Sequence, residues 1–191
     1  MAWSTEMTRR RLLDAAIEQF AAHGFSGARV DVIGRRAGVN KERIYQYFGD
    51  KAGLFDAVLE SEVEGLLSGV TLDGRGPEAA AAFASALFDR TVERPHLARL
   101  LAWESLELDR PVSAATRAAG CRAIVTALAD AVPMTELDAA QLVLSIVAIA
   151  TVDRCLPHLA ALIVGAESTA ARRSAVRAQA LALAGSAASA T

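Results

Sequence analysis

An all-helical fold is predicted by three observations. Hydrophobic residues make up 53% of the chain while aromatics make up only 5%, because alanine supplies so much of the apolar count. Such a composition favours helices whose backbones pack closely. Apolar residues recur at helical spacing in one segment after another, and no stretch reads convincingly as a strand. At 191 residues the chain has room for one large domain or two small ones, either with a substantial core.

The elements follow in order. Ser4 or Thr5 can cap a first helix to about His23, with Leu13, Ile17 and Phe20 on one stripe and Gly24 as its stop. Two short helices are predicted near 30–37 and 41–47. A longer one from Lys51 to about Val70 keeps Leu54, Phe55, Val58, Leu59, Val63 and Leu66 in helical register. Asp73-Gly74-Arg75-Gly76-Pro77 reads as a linker. Helices near 77–93, 95–108 and 111–131 are separated at Arg94-Pro95 and Arg110-Pro111, since proline fits a first helical turn. Pro133 breaks the pattern again before a long apolar helix over 136–155. A short segment over 158–164 and a last helix over 168–184 complete the chain, and Gly185 to Thr191 is expected to fray.

The most specific stretch runs from Ala37 to Lys51. Gly38 can supply the left-handed conformation of a tight helix-to-helix turn, and Asn40 is a good N-cap for the helix that follows. Ile44 and Phe48 share one face of that helix above Val39, so the other face carries Glu42, Arg43 and Gln46, flanked by Tyr45 and Tyr47. This is the pattern of a helix-turn-helix, which places a short helix in the DNA major groove.

With these residues in view, positions 8–60 resemble the N-terminal domain of the TetR family of transcriptional regulators. The resemblance is carried by Leu12, Ala15, Ala16, Ile17, Phe20, Gly24 and Phe25, then Val30, Ile33, Ala37, Gly38 and Val39, then Ile44, Tyr45, Tyr47, Phe48, Lys51, Leu54 and Phe55. The chain departs from the family pattern at Ala28, Arg29 and Gly34, so Arg29 is the candidate to replace a missing cap and phosphate contact. The resemblance implies a three-helix DNA-binding domain over 1–53, joined by a connecting helix over 51–70 to a helical effector-binding and dimerisation domain over 54–185. Residues 186–191 are then a flexible tail. It also implies a homodimer through the helices near 136–155 and 168–184, a palindromic double-stranded DNA operator, and release by an unknown small-molecule effector.

Charge is distributed in the same sense. Residues 1–55 hold nine Lys/Arg and six Asp/Glu, and the remainder holds eleven and sixteen, so a basic first third precedes an acidic body. Both lysines, Lys41 and Lys51, fall in the DNA-facing element. Arg43 can donate two bonds to guanine O6 and N7, and Gln46 can bond adenine bidentately. Glu42 can accept from cytosine N4, or can equally be a solvated surface carboxylate. Lys41, Tyr45 and Tyr47 suit phosphates and sugars by family analogy, although packing is the alternative for either tyrosine. Lys51 opens a helix whose free N–H groups suit a phosphate. One of Arg9, Arg10 and Arg11 is a further phosphate candidate, against an exposed charge run.

In the body, His96, Leu100, Trp103 and Glu107 share a helix face. Pro157 frees the Asp153 carbonyl four residues back, beside Arg154. Trp103, Glu107, Asp153 and His158 are therefore the candidate effector contacts, with internal ion pairs as the alternative. The helix over 136–155 is apolar around most of its circumference, which calls for burial on nearly all sides, one of them against a second copy or within a thick monomeric core.

Other classes find little support. There is no G-x-S-x-G, no H-E-x-x-H and no Gly-rich phosphate loop, and His23, His96 and His158 are scattered, so the chain is not expected to be an enzyme. Cys121 and Cys155 lack metal or disulfide spacing and are expected to be buried and inert, so neither cofactor nor metal is called for. No signal peptide or membrane span is read, which leads to an expectation of a cytoplasmic, nucleoid-associated protein. A helical module that binds small molecules or proteins and has lost specific DNA binding is the remaining alternative.

Overall fold

The computed structural model describes residues 5–67, 71–166 and 168–188, all of them in helices or connecting loops, with no strand among them. The helices are α1 (Thr5–Gly27), α2 (Val30–Ala37), α3 (Lys41–Phe48), α4 (Lys51–Leu67), α5 (Pro77–Glu93), α6 (Leu97–Glu107), α7 (Ala114–Ala131), α8 (Glu136–Cys155), α9 (Pro157–Val164) and α10 (Thr169–Ala188). The expected start of the tail is displaced, because Gly185 to Ala188 continue α10. The expected end of the connecting helix at Val70 lies outside the described residues.

Two compact units result. The first comprises Met1–Gly65 and His96–Ala114, the second Leu66–Pro95 and Ala115–Thr191. This differs from a cut between residues 53 and 54. The reason is that α4 stays in the first unit through most of its length, and α6 packs on α1 rather than with the body.

The first unit is built around aromatic contacts. Phe20 of α1 meets Phe55 of α4 edge-on at 4.9 Å between centroids, and Phe25 lies 5.4 Å from the same ring. Leu12, Phe20, Ile33, Ile44, Leu54, Phe55, Val58 and Leu59 have no exposed surface, so α1 to α4 share one core. Gly24 bends α1, with φ 71° and ψ −178°. A Cβ there would lie 2.7 Å from Glu107 Oε1 and 2.9 Å from Trp103 Cε3, so α6 approaches the bare backbone. Trp103 Nε1 donates to the Ala21 carbonyl at 3.3 Å, and the Ser26 N–H donates to Glu107 Oε2 at 2.8 Å. Those bonds satisfy groups that the bend removes from the helical ladder.

The loop after α6 is fixed from within the same unit. The buried Glu104 carboxylate accepts from the Val112 N–H at 2.8 Å, and Ser113 Oγ donates to Asp56 at 2.5 Å. Helix α7 therefore starts at Ala114 rather than at Pro111, and Pro95 likewise precedes its helix instead of opening it. Pro77 and Pro157 do occupy first turns, of α5 and α9.

In the second unit α5 packs most extensively on α10, with α8 against both. Ala79, Ala80 and Ala84 of α5 and Ala180 and Ala184 of α10 are buried, and small side chains let the two backbones come close. Phe83, Phe88, Leu128, Leu142, Ile146 and Val176 fill the remaining core. Arg173 grips Asp89 through two nitrogens at 2.7 Å each, and Arg177 pairs with Glu78, so α10 is pinned to α5 along its outer edge. Cys121 and Cys155 are exposed, not buried as the sequence leads one to expect.

Gly24→Ala combines a positive φ with a sub-contact approach. We expect it to lower unfolding free energy by about 2 kcal/mol or more, read as a reduced urea midpoint. An unchanged midpoint would remove Gly24 as the point of closest helix approach.

Candidate nucleic-acid interface

The helix-turn-helix is set by a Schellman turn. Gly38 is left-handed at φ 65°, its N–H donates to the Arg35 carbonyl at 3.1 Å, and the Val39 N–H reaches back to the Gly34 carbonyl at 2.9 Å. Asn40 stands extended at the N-cap of α3, but its side chain makes no capping bond, contrary to expectation; only its carbonyl accepts, from the Arg43 N–H at 3.0 Å. Asp50, not singled out from the sequence, does cap: the Gly53 N–H donates to its carboxylate at 2.8 Å at the start of α4. An Asp three residues before a glycine, just ahead of an apolar helical stripe, was the available signal.

Ile44 is fully buried and fixes the rotation of α3. Lys41, Glu42, Arg43, Tyr45 and Gln46 consequently face solvent, and Tyr45 is 49% exposed. Tyr47 and Phe48 are half-buried with ring centroids 6.1 Å apart, so Tyr47 is partly a packing residue. None of the five exposed side chains is engaged in a hydrogen bond or ion pair within the described residues.

Neighbouring charges are spent internally. Arg36 pairs with Glu18 at 3.0 Å and Arg10 with Asp14 at 3.1 Å. Arg35 donates to Asp31 at 2.8 Å, and Arg29 lies 3.3 Å from the same carboxylate. The Arg35 hydrogen bond holds the Asp31 carboxyl below its ordinary range, helped by the Arg29 charge and opposed by desolvation. Arg29 thus sits at the N-cap of α2 without capping it, since a guanidinium has no acceptor to offer. Its side chain remains largely exposed. Lys51 Nζ donates to the Ser26 carbonyl at 3.0 Å and lies 5.2 Å from the Phe25 ring centroid. Arg9, weighed only as part of a charge run, stands 5.7 Å from the Phe48 ring centroid at the end of α3.

The four effector candidates do not converge. Trp103 and Glu107 belong to the first unit, where both are committed to α1. Asp153 and His158 belong to the second. Asp153 lines a cavity there, whereas His158 is exposed and not part of its lining. The shared helix face of Trp103 and Glu107 was readable from spacing; that it faces the bend at Gly24 was not.

Asp50→Ala should cost about 1 kcal/mol of stability in urea titration, whereas Asn40→Ala should cost measurably less. Equal losses would contradict the capping assignment.

Comparison with known proteins places this geometry. Residues 12–58 match the family described as bacterial regulatory proteins, tetR family, and residues 80–182 match the tetracyclin repressor-like C-terminal domain. The repressor SCO4008 of Streptomyces coelicolor is 40% identical over 102 residues, 53% of this chain and 52% of its own length. The repressor NicS of Pseudomonas putida is 35% identical over 112 residues, 55% of this chain and 51% of its own. The aligned part thus spans about half the length of these curated relatives. The solved structure of SCO4942 of Streptomyces coelicolor, described as a transcriptional regulator, superposes with a TM-score of 0.76 at 34% identity, over 91% of this chain and 96% of that one. PfmR of Thermus thermophilus, at 17% identity and a TM-score of 0.70 over 92% of this chain and 95% of that one, shares the fold. These relatives are transcriptional regulators rather than enzymes. Two family domains that together take in most of the chain, and a whole-length structural relative, establish that it belongs to the TetR family of bacterial regulatory proteins.

Proposed function

We propose that the protein is a DNA-binding transcriptional regulator: a repressor that sits as a homodimer on a palindromic operator in the cytoplasm and leaves it when a small molecule binds. One observation carries the DNA reading. The exposed face of α3 holds Lys41, Glu42, Arg43, Tyr45 and Gln46 with no partner inside the described protein, while most arginines around it are already paired. An unspent polar face on a helix held firmly by Ile44 is what base reading requires.

Arg43 is assigned to guanine, Gln46 to adenine and Glu42 to cytosine, with Lys41, Tyr45 and Tyr47 on phosphates and sugars. Lys51 uses one of three donors on Ser26, which leaves its charge at the start of α4 for a phosphate. Arg29 can swing to a phosphate only by giving up Asp31. Repression is favoured over activation because SCO4008 and NicS both carry that name.

The homodimer reading is supported by α8. Ala139, Leu142, Ile146 and Ala150 are buried on its inner face, yet Leu144 is 65% exposed, with Val147 and Val152 also open. An apolar outer face of this kind on a core helix marks an interaction surface. Two α3 helices then need a separation of about 34–36 Å to read adjacent half-sites.

Selection from a random DNA pool should enrich an inverted repeat, bound with a steep salt slope. Enrichment of nothing by a folded dimer would overturn the DNA reading in favour of an interaction module. On the enriched site Arg43→Ala should lose about 1–3 kcal/mol and relax preference at one position of each half-site. Retained discrimination would contradict its assignment. Leu144→Glu should shift sedimentation toward the monomer; an unaltered dimer would move the interface elsewhere.

A further inference from the structure

The second unit contains an open cavity of about 440 Å³ bounded by the end of α8, all of α9, the start of α10 and Phe88 of α5. Its walls are largely aliphatic. Leu156, Leu159, Ile163 and Val164 line it and are nonetheless about half or more exposed. Its polar groups are Asp153, Arg154 and Arg172, together with Ser168 and Thr169 at the start of α10.

Two of those polar groups are incompletely used. Arg172 Nη2 donates to the Ile149 carbonyl at 2.6 Å, but its Nε is buried and bonds nothing. Asp153 Oδ2 lies 3.5 Å from Arg154 Nη1, but Asp153 Oδ1 is likewise buried without a partner. Arg154 is occupied elsewhere: its Nε donates to Thr91 Oγ1 at 3.2 Å, and its guanidinium lies 5.4 Å from the Phe88 ring centroid. Buried donors and acceptors are normally satisfied, so one orphan of each kind on the wall of one cavity calls for an occupant. Water could bond either atom, but it would leave the aliphatic wall uncovered.

We infer that this cavity binds a small amphipathic anion with an aliphatic body, a carboxylate that accepts from Arg172 Nε, and an adjacent O–H or N–H that donates to Asp153 Oδ1. Two arginines against one aspartate give the polar end a formal charge of +1, which suits a monoanion. The volume suits roughly ten to fifteen non-hydrogen atoms at about 30 Å³ each. This site deepens the effector reading above and rests on it for its regulatory meaning, though not for its binding chemistry.

Calorimetric titration of the full-length protein with 3-hydroxydecanoate, decanoate and decylamine tests the assignment. The hydroxy acid should bind about tenfold more tightly than decanoate, and the amine at least tenfold more weakly than either acid. Asp153→Ala should abolish the preference for the hydroxyl while keeping decanoate binding. Arg172→Met should weaken both acids, and because Arg172 also bonds Ile149, Leu159→Trp provides a second variant that fills the cavity with both polar groups intact and should bind neither.

Equal affinity for all three probes, an undiminished hydroxyl preference in Asp153→Ala, or binding by Leu159→Trp would each overturn the site. Wild type that binds no probe, with Leu159→Trp failing to dimerise, would overturn it in favour of a second copy covering the cavity. Operator binding measured in parallel separates the two claims. Protein that holds operator DNA but no probe leaves the DNA reading standing and removes this site. Protein that binds 3-hydroxydecanoate with the expected Asp153 dependence but never releases DNA upholds the site and removes the effector reading.

Discussion

The close approach of α6 to the bend at Gly24 sets the shape of the first unit. Only a bare backbone at φ 71° admits the Glu107 carboxylate and the Trp103 ring at that distance. Once there, Glu107 takes the Ser26 N–H while Lys51 supplies a donor to the Ser26 carbonyl, so both sides of one residue are held from two other helices. Ser26 lies between the bend and α2, and the direction in which the chain enters the helix-turn-helix follows from it. The aromatic contacts of Phe20, Phe25 and Phe55 complete the same arrangement from the apolar side. A helix contributed from the middle of the chain thus fixes the element that carries Arg43 and Gln46.

That placement explains which features were legible in the sequence. Helices α2, α3, α5 and α8 fall where local signals put them, because a left-handed glycine, a proline at a first turn or a sustained apolar period acts within a few residues. The exposed face of α3 was equally readable, since Ile44 alone determines its rotation. What escaped depends on partners far along the chain. The start of α7 is delayed by bonds from Glu104 to Val112 and from Ser113 to Asp56, the latter across 57 positions. Glu107 and Trp103 looked like pocket residues because a polar group beside apolar neighbours reads alike whether it meets a ligand or a bent backbone. Asn40 was chosen as a cap by residue type, but capping needs a side-chain rotamer that type alone does not determine.

The second unit follows a different logic. Its tightest pairing, α5 on α10, uses alanine where most cores use leucine, so little apolar area is buried per residue and position is secured by close backbones. The paired charges Arg173–Asp89 and Arg177–Glu78 lie partly exposed at that seam and contribute alignment more than stability. Because α8 spends only one stripe on this core, its remaining apolar surface stays outside, and the same economy leaves α9 without a single buried residue.

An effector changes DNA affinity only if it binds two arrangements of the protein with different free energies. The proposed site is walled by the end of α8 and the start of α10, joined through α9. A ligand seated there draws on Asp153 at one helix end and Arg172 near the other, so its binding free energy depends on the separation of α8 from α10. In the proposed homodimer α8 also presents its outer face to the partner. A change in its position therefore reaches both copies at once and acts on the spacing of the two α3 helices, with no need to disturb the bonds around Gly24. The interface with DNA can stay rigid, as base reading demands, because the movable part of the switch is built from a different pair of helices.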